Sequence, residues 1–252
     1  QFPTKAVESI DFKIFMPHFN GRTSYLTFYH QDEYFSETLM INFYFKTIAE
    51  YGILVYSKSD TNPSAFILIY FDQGLLKLTM ACNETSVLKM QSEKPLNDGI
   101  LHKLSFNLTS EHSKCKVHLA IDNSPPSFGS QFLKQDTICF KKITFGRYLD
   151  NLTELESYPV ALGFQGCLKF IHFNQVFKVN NAVDVNECDP HSICDQDPCH
   201  GHGKCISHDQ TWECMCNQGY EGHFCERATC LQNPCKNNGI CIPWNQTDFL
   251  CI

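Results

Sequence analysis

Short apolar runs, broken by clusters of Gly, Asn, Asp and Pro, fill roughly the first three-quarters of the chain. Residues 39–45 are rich in β-branched and aromatic types, which suit a pleated, half-buried surface. The pattern predicts strands over 39–45, 52–56, 66–71 and 75–80, the last two joined by a turn at Asp72-Gln73-Gly74. Further strands are predicted over 101–108, 116–121, 143–145 and 168–173. Turn chemistry separates them at Asn97-Asp98-Gly99, Asp122-Asn123-Ser124-Pro125-Pro126 and Phe145-Gly146. No stretch sustains the period of about 3.6 residues that marks a long amphipathic helix. Many short strands with regular turns predict a mainly β fold, a sandwich of two antiparallel sheets. A domain of this size buries its own core and needs few disulfides.

Near residues 183–186 the pattern changes. Strong strands vanish, and Cys, Gly, His and Asn take over. Four of the fifteen cysteines (Cys82, Cys115, Cys139 and Cys167) precede residue 188, and eleven lie between Cys188 and Cys251. So short a segment cannot bury enough apolar area to hold itself together and must be stapled. Zinc is the other reading of dense cysteines, but zinc sites favour paired C-x2-C knuckles, which this tail lacks. Disulfides imply an oxidising compartment. The expected divisions are 1–189, 190–226 and 227–252.

The spacing in the tail is Cys194-x4-Cys199-x5-Cys205-x8-Cys214-x-Cys216-x8-Cys225, with Gly219-Tyr220-Glu221-Gly222 between the last two cysteines. Six cysteines alone allow about fifteen pairings. This spacing resembles the EGF-like family, and the resemblance implies Cys194–Cys205, Cys199–Cys214 and Cys216–Cys225. A second copy, Cys230-x4-Cys235-x5-Cys241-x9-Cys251, implies Cys230–Cys241 and Cys235–Cys251 in the same way. In it Phe249 takes the place that Trp212 holds in the first. The copy stops after four cysteines, so a truncated module and a longer parent protein are expected. Gln1-Phe2-Pro3 lacks the features of a signal peptide, so the export signal is expected elsewhere. Asp184-Val185-Asn186-Glu187-Cys188 resembles the D-x-[DN]-E-C entry of calcium-binding EGF-like modules. The module's first cysteine is nevertheless Cys194, and Ser207 stands where such modules place Asn or Asp, which argues against that site.

The first part resembles a laminin G-like domain. Phe19-Asn20-Gly21 through Leu26 looks like the opening strand motif. Phe45-Lys46-Thr47 followed by Tyr51-Gly52-Ile53-Leu54 resembles the F-x-T…G-hydrophobic-L pattern. Asn97-Asp98-Gly99-Ile100-Leu101-His102 resembles N-D-G-x-W-H with Leu101 for Trp, and Phe164-Gln165-Gly166-Cys167-Leu168 resembles F-x-G-C-hydrophobic. The resemblance implies a laminin G-like jelly-roll sandwich of two antiparallel sheets, followed by small disulfide-stapled EGF-like modules. It also implies a Cys167–Cys188 bridge. Cys82 and Cys115 end and begin neighbouring candidate strands, which favours Cys82–Cys115 and leaves Cys139 odd. A Cys139–Cys167 bridge stays open. Many such domains hold one calcium ion on the sandwich rim, through two side-chain oxygens, two backbone carbonyls and an acidic glycan. The first ligand, an Asp directly before the strand that starts at Phe66, is replaced here by Ala65, with Ser64 beside it. The second falls near Asp136 and one carbonyl near Cys82, while Asp60 is a further loop oxygen. Losing one carboxylate weakens a hard-cation site, and Asp136 reads more readily as a solvated loop acid.

Bulk numbers narrow the function. At 43% hydrophobic and 19% charged residues the chain has a core to bury. A net charge of −7 argues against nucleic acid and against heparin-like partners. No apolar run reaches the roughly 18–20 residues that cross a bilayer. Asn83, Asn107, Asn151 and Asn245 head N-glycosylation sequons, whereas Asn62-Pro63-Ser64 is excluded by its proline. His200, His202 and His208 read as surface residues, and Lys141, Lys142 and Arg147 as a solvated strand edge. No Ser/His/Asp set or phosphate-cradling loop sits in a context for catalysis. The expectation is a secreted, non-enzymatic matrix or adhesion module. Its laminin G-like domain binds an extracellular glycan or glycoprotein, of the dystroglycan type by resemblance. The EGF-like modules serve as spacers. A structural spacer without ligand and an EGF-type receptor ligand are the alternatives.

Overall fold

The computed structural model describes residues 16–30, 38–84, 86–111, 113–133, 138–147, 162–188, 194, 198–208, 211–230, 233–237, 239–243 and 248–252. Two compact units divide the chain: residues 1–97 with 101–188, and residues 98–100 with 189–252.

In chain order the first unit runs β1 (Pro17–Asn20), β2 (Tyr25–His30), β3 (Thr38–Lys46), β4 (Gly52–Lys58), β5 (Phe66–Asp72), β6 (Leu75–Ala81) and β7 (Leu88–Gln91). It continues with β8 (His102–Glu111), β9 (Lys114–Ile121), β10 (Ser127–Phe132), β11 (Lys142–Phe145), β12 (Gln165–Phe173), β13 (Phe177–Val183) and β14 (Asn186–Glu187). These strands form two seven-stranded sheets, A in the order β10-β9-β8-β3-β12-β1-β14 and B in the order β13-β2-β11-β4-β5-β6-β7. All the strand pairings are antiparallel.

Alternation explains the layering. Along β3 and β8 every second residue is buried, which gives each strand one inward face and one outward face. Phe19, Phe43, Phe45, Phe71, Phe106, Phe140, Phe145 and Phe164 are among the largest fully buried side chains. Edge-to-face contacts, such as Phe43–Phe145 with centroids 5.3 Å apart, join rings of the two sheets. Cys82–Cys115 bridges the sheets, linking the end of β6 to β9. Cys167–Cys188 instead staples β12 to the residue after β14 within sheet A. Gly166, ahead of Cys167, has φ +148°, and a Cβ there would lie 2.3 Å from the Lys46 carbonyl oxygen. Only glycine lets β12 pass β3 so closely. Asp184-Val185-Asn186-Glu187-Cys188 belongs to this sandwich: Asn186 pairs with His18, and the Asp184 carbonyl accepts a hydrogen bond of 2.6 Å from Ser24 Oγ.

The second unit is stapled by Cys194–Cys205, Cys199–Cys214, Cys216–Cys225, Cys230–Cys241 and Cys235–Cys251. Its hairpins are β15 (Gly203–His208) with β16 (Thr211–Cys216), β17 (Tyr220–Glu221) with β18 (Arg227–Ala228), and β19 (Cys241–Pro243) with β20 (Phe249–Cys251). Among the described residues, Phe249 packs 5.5 Å from Tyr220, and Gln218 Nε2 donates to the Asn233 carbonyl at 2.7 Å, both contacts joining the two modules. Cys139 is buried and unpaired.

Candidate functional site

At the sandwich rim the described candidate ligands are missing or already engaged. Ala65 is fully buried and offers no side-chain oxygen. The Cys82 carbonyl accepts a hydrogen bond of 3.2 Å from Asn62 Nδ2, while Asn62 Oδ1 takes the Ser64 N–H at 3.1 Å. An amide donor therefore stands where a cation would be wanted. Asp60 is also committed, because its Oδ2 accepts the Lys141 N–H at 2.8 Å and its own N–H donates to the Cys139 carbonyl at 2.9 Å. Asp136 lies outside the described residues. Among those that are described, the rim does not fit calcium, and no cluster of three or more His, Cys, Asp or Glu suits a metal.

A different feature stands out on the outward face of sheet A. Lys169 pairs with Tyr44 and His172 with Asn42, so Phe170 and Ile171 together oppose the single residue Phe43. This is a β-bulge, which re-aims side chains. Phe170 sits at φ +51°, unusual for a bulky residue and a sign of local strain. Strict alternation would have sent Phe170 inward beside Leu168. The extra residue shifts the phase, so Leu168 and Ile171 pack toward the core while Phe170 stays 41% exposed. Tyr44 meets the Phe170 ring edge-on at 5.8 Å, and Lys169 Nζ lies 4.8 Å from its centroid.

Cross-strand rows extend this patch. One row is Lys103–Tyr44–Lys169, with Asp122 beyond Lys103, its carboxylate held by the Lys103 N–H and His102 Nδ1; the next is Ser105–Asn42–His172. The chain's net charge of −7 concealed a locally basic, aromatic surface. The signal was in the sequence: Leu168-Lys169-Phe170-Ile171-His172-Phe173 changes the phase of its apolar alternation at Phe170. An exposed ring offers a face to the C–H groups of a sugar, and flanking ammonium groups pair with carboxylate or sulfate. A third row, Lys46–Cys167–His18, lies toward the strand ends. Lys46 is only 5% exposed. Burial pushes the pKa of both Lys46 and His18 below their ordinary values.

Other predicted residues are scattered. Asn83 is buried and its Nδ2 donates to the Phe132 carbonyl, Asn107 is half-buried on the outward face of β8, and Asn151 and Asn245 lie outside the described residues. Burial, then the Asp60 carboxylate, push the Cys139 thiol pKa up, with Lys141 opposing. His202 stacks on Tyr220 at 3.9 Å. Among the described residues no helix is long and apolar enough to cross a membrane.

A two-sheet antiparallel sandwich with an F-x-G-C staple, followed by disulfide-pinned hairpins, defines an extracellular module of the adhesion and matrix class. The laminin G domain family matches residues 45–176, and the EGF-like domain family matches residues 194–224. The chain belongs to the laminin G domain family. Both are non-enzymatic domain families. It is similar to the protein eyes shut homolog of Danio rerio, 21% identical over 245 residues, covering 86% of this chain. The Homo sapiens eyes shut homolog is 22% identical over 258 residues, covering 96% of this chain. The chain spans about 8% of the length of these relatives. Among solved structures, domains LG4-5 of the mouse laminin alpha1 chain share its fold, with TM-score 0.57 and 15% identity, over 75% of this chain and 51% of that one. The LG1-3 region of the laminin alpha2 chain does so with TM-score 0.53 and 16% identity, over 69% and 34%.

Proposed function

We propose that the chain is a non-catalytic adhesion or matrix module whose laminin G domain holds an acidic extracellular glycan, or a glycoprotein carrying one, at the β12 bulge of sheet A. The EGF-like modules act as spacers. The observation that carries this reading is Phe170, held in a strained backbone conformation and exposed between Tyr44 and Lys169. Strain persists where the surroundings enforce it, and an exposed aromatic beside a cation suits a ring-shaped anionic ligand. Recognition here does not pass through the rim, where Ala65 and the Asn62–Cys82 bond leave the described oxygens unsuited to calcium. Likeness to the eyes shut homologues makes photoreceptor matrix the first setting to try, and a dystroglycan-type glycan the first ligand.

The test is a glycan array that includes uronate-bearing, sulfated and dystroglycan-type glycans, read with wild type, Phe170→Ala and Lys169→Ala, each in calcium and in a calcium chelator. Binding is expected to persist in chelator and to weaken roughly tenfold in Phe170→Ala, about the worth of one stacked, cation-flanked ring. Binding to no glycan would support a plain spacer. Calcium-dependent binding indifferent to Phe170→Ala would return recognition to the rim.

A further inference from the structure

We propose that β10 is a self-association edge, through which two copies of the chain pair antiparallel, β10 to β10, and join their seven-stranded A sheets into one. This rests on the strand edge alone and is independent of the glycan reading.

β10 ends sheet A and pairs on one side only, with β9. Gln131 lies opposite Cys115, and the Leu133 N–H continues the ladder to the Ser113 carbonyl at 2.8 Å. In an antiparallel ladder a residue's N–H and C=O point the same way, and the direction alternates along the strand. Gly129, Gln131 and Leu133 therefore face β9, and Phe128, Ser130 and Phe132 face away. Of the six backbone groups on those three residues, the Phe132 carbonyl is taken by Asn83 Nδ2. The other five find no partner among the described residues.

Sheets commonly guard such an edge with a charge, a proline, a bulge or a covering loop. β10 reads Ser-Phe-Gly-Ser-Gln-Phe, uncharged and without proline, and its register with β9 is unbroken. Its inward side chains serve the fold. A Cβ on Gly129 would lie 2.6 Å from Leu88 of β7, and Gln131 Oε1 accepts the Cys82 N–H at 2.9 Å. Its outward side chains do not: Phe128 and Phe132 are each 73% exposed. Phe128 rests on His118 with centroids 4.7 Å apart, and Lys114 Nζ lies 5.4 Å from the Phe132 centroid.

The occupant follows from the strand's own symmetry. Phe128-Gly129-Ser130-Gln131-Phe132 has the same aromatic chemistry read from either end. Antiparallel pairing with Ser130 opposite Ser130 of the second copy sets Phe128 against Phe132 of that copy, and the reverse. Ser130 then exchanges both backbone hydrogen bonds with its copy and each Phe132 N–H meets the Phe128 carbonyl opposite, while the Phe132 carbonyl stays with Asn83; two aromatic cross-strand pairs form about a two-fold axis. The strand carries no charge, so no like charges meet. The nearest cations on β9 stand roughly 14 Å from their copies, three strand spacings apart, beyond the ~8 Å screening length. Covering four such rings removes about 600 Å² from water, allowing about 200 Å² for a phenylalanine. That is below the ~1,200 Å² of a stable complex, so the dimer is reversible, with Kd of roughly 10 μM to 1 mM. Anchoring many copies in a matrix raises their effective concentration into that range.

Sedimentation velocity on the full chain, from micromolar to near-millimolar concentration, reads this directly. Wild type is expected to shift from 28.9 kDa toward twice that mass as concentration rises. Ser130→Pro removes an N–H that the monomer does not use, in a position where edge strands tolerate proline, and should stay monomeric. Phe128→Asp, at an exposed position, gives the same answer should the proline variant fail to fold. A wild-type chain that stays monomeric throughout, or a folded Ser130→Pro that associates as well as wild type, overturns the proposal.

Discussion

At His18 the imidazole lies opposite Cys167 on one side and Asn186 on the other, and its Nε2 is buried without a hydrogen-bond partner among the described residues. Burial disfavours the charged ring, so the folded pKa falls below the ordinary 6.5. The unfolded chain then binds the proton more readily than the folded one. Stability present above pH 6.5 is lost as pH falls from there through the lower folded value. His18→Asn should flatten that loss, measured as melting temperature from pH 7 down to about pH 5. An unchanged acid limb in the variant would assign the loss to other groups. Residue-scale reading of the sequence was uneven for a related reason. Ala65 announced a missing carboxylate by its position alone. The Asn62 amide on the Cys82 carbonyl was silent, because it depends on a contact spanning 20 residues.

At the scale of elements, the strands read most clearly from the sequence are interior ones. β3, β4, β5, β6 and β8 each have neighbours on both sides and carry dense apolar patterns. The strands without a clear signal include β7, β10, β13 and β14, which all end a sheet. An end strand has one partner and less surface to bury, so polar residues, glycine and lysine are tolerated there. The bulge in β12 escaped for another reason: one inserted residue inverts the faces of everything before it relative to everything after it. Cys82–Cys115 acts at this scale too, since it clasps β6 of one sheet to β9 of the other across 33 residues. Cys82→Ala with Cys115→Ala should lower unfolding free energy by roughly 4 kcal/mol in denaturant titration, the loop-closure entropy of a crosslink that long. A loss under about 1 kcal/mol would mean that core packing alone fixes the sheets against each other.

For the whole molecule, cysteine spacing and strand count were enough to read two kinds of domain and an oxidising compartment. The recognition surface was not legible at that scale, because net charge averages over loops and faces. A chain of −7 overall still presents Lys103, Lys169 and His172 around an exposed Phe170 and its neighbour Tyr44. Ligand contact is proposed at this bulge and not at the rim. Covalent footprinting of wild type, with and without the strongest binder from the array, tests it most directly. Tyr44, Lys169 and Phe170 are expected to be protected, with residues 60–65 and 82–83 unchanged. Protection of 60–65 and 82–83, with Tyr44 and Phe170 as reactive as in the free chain, would contradict it.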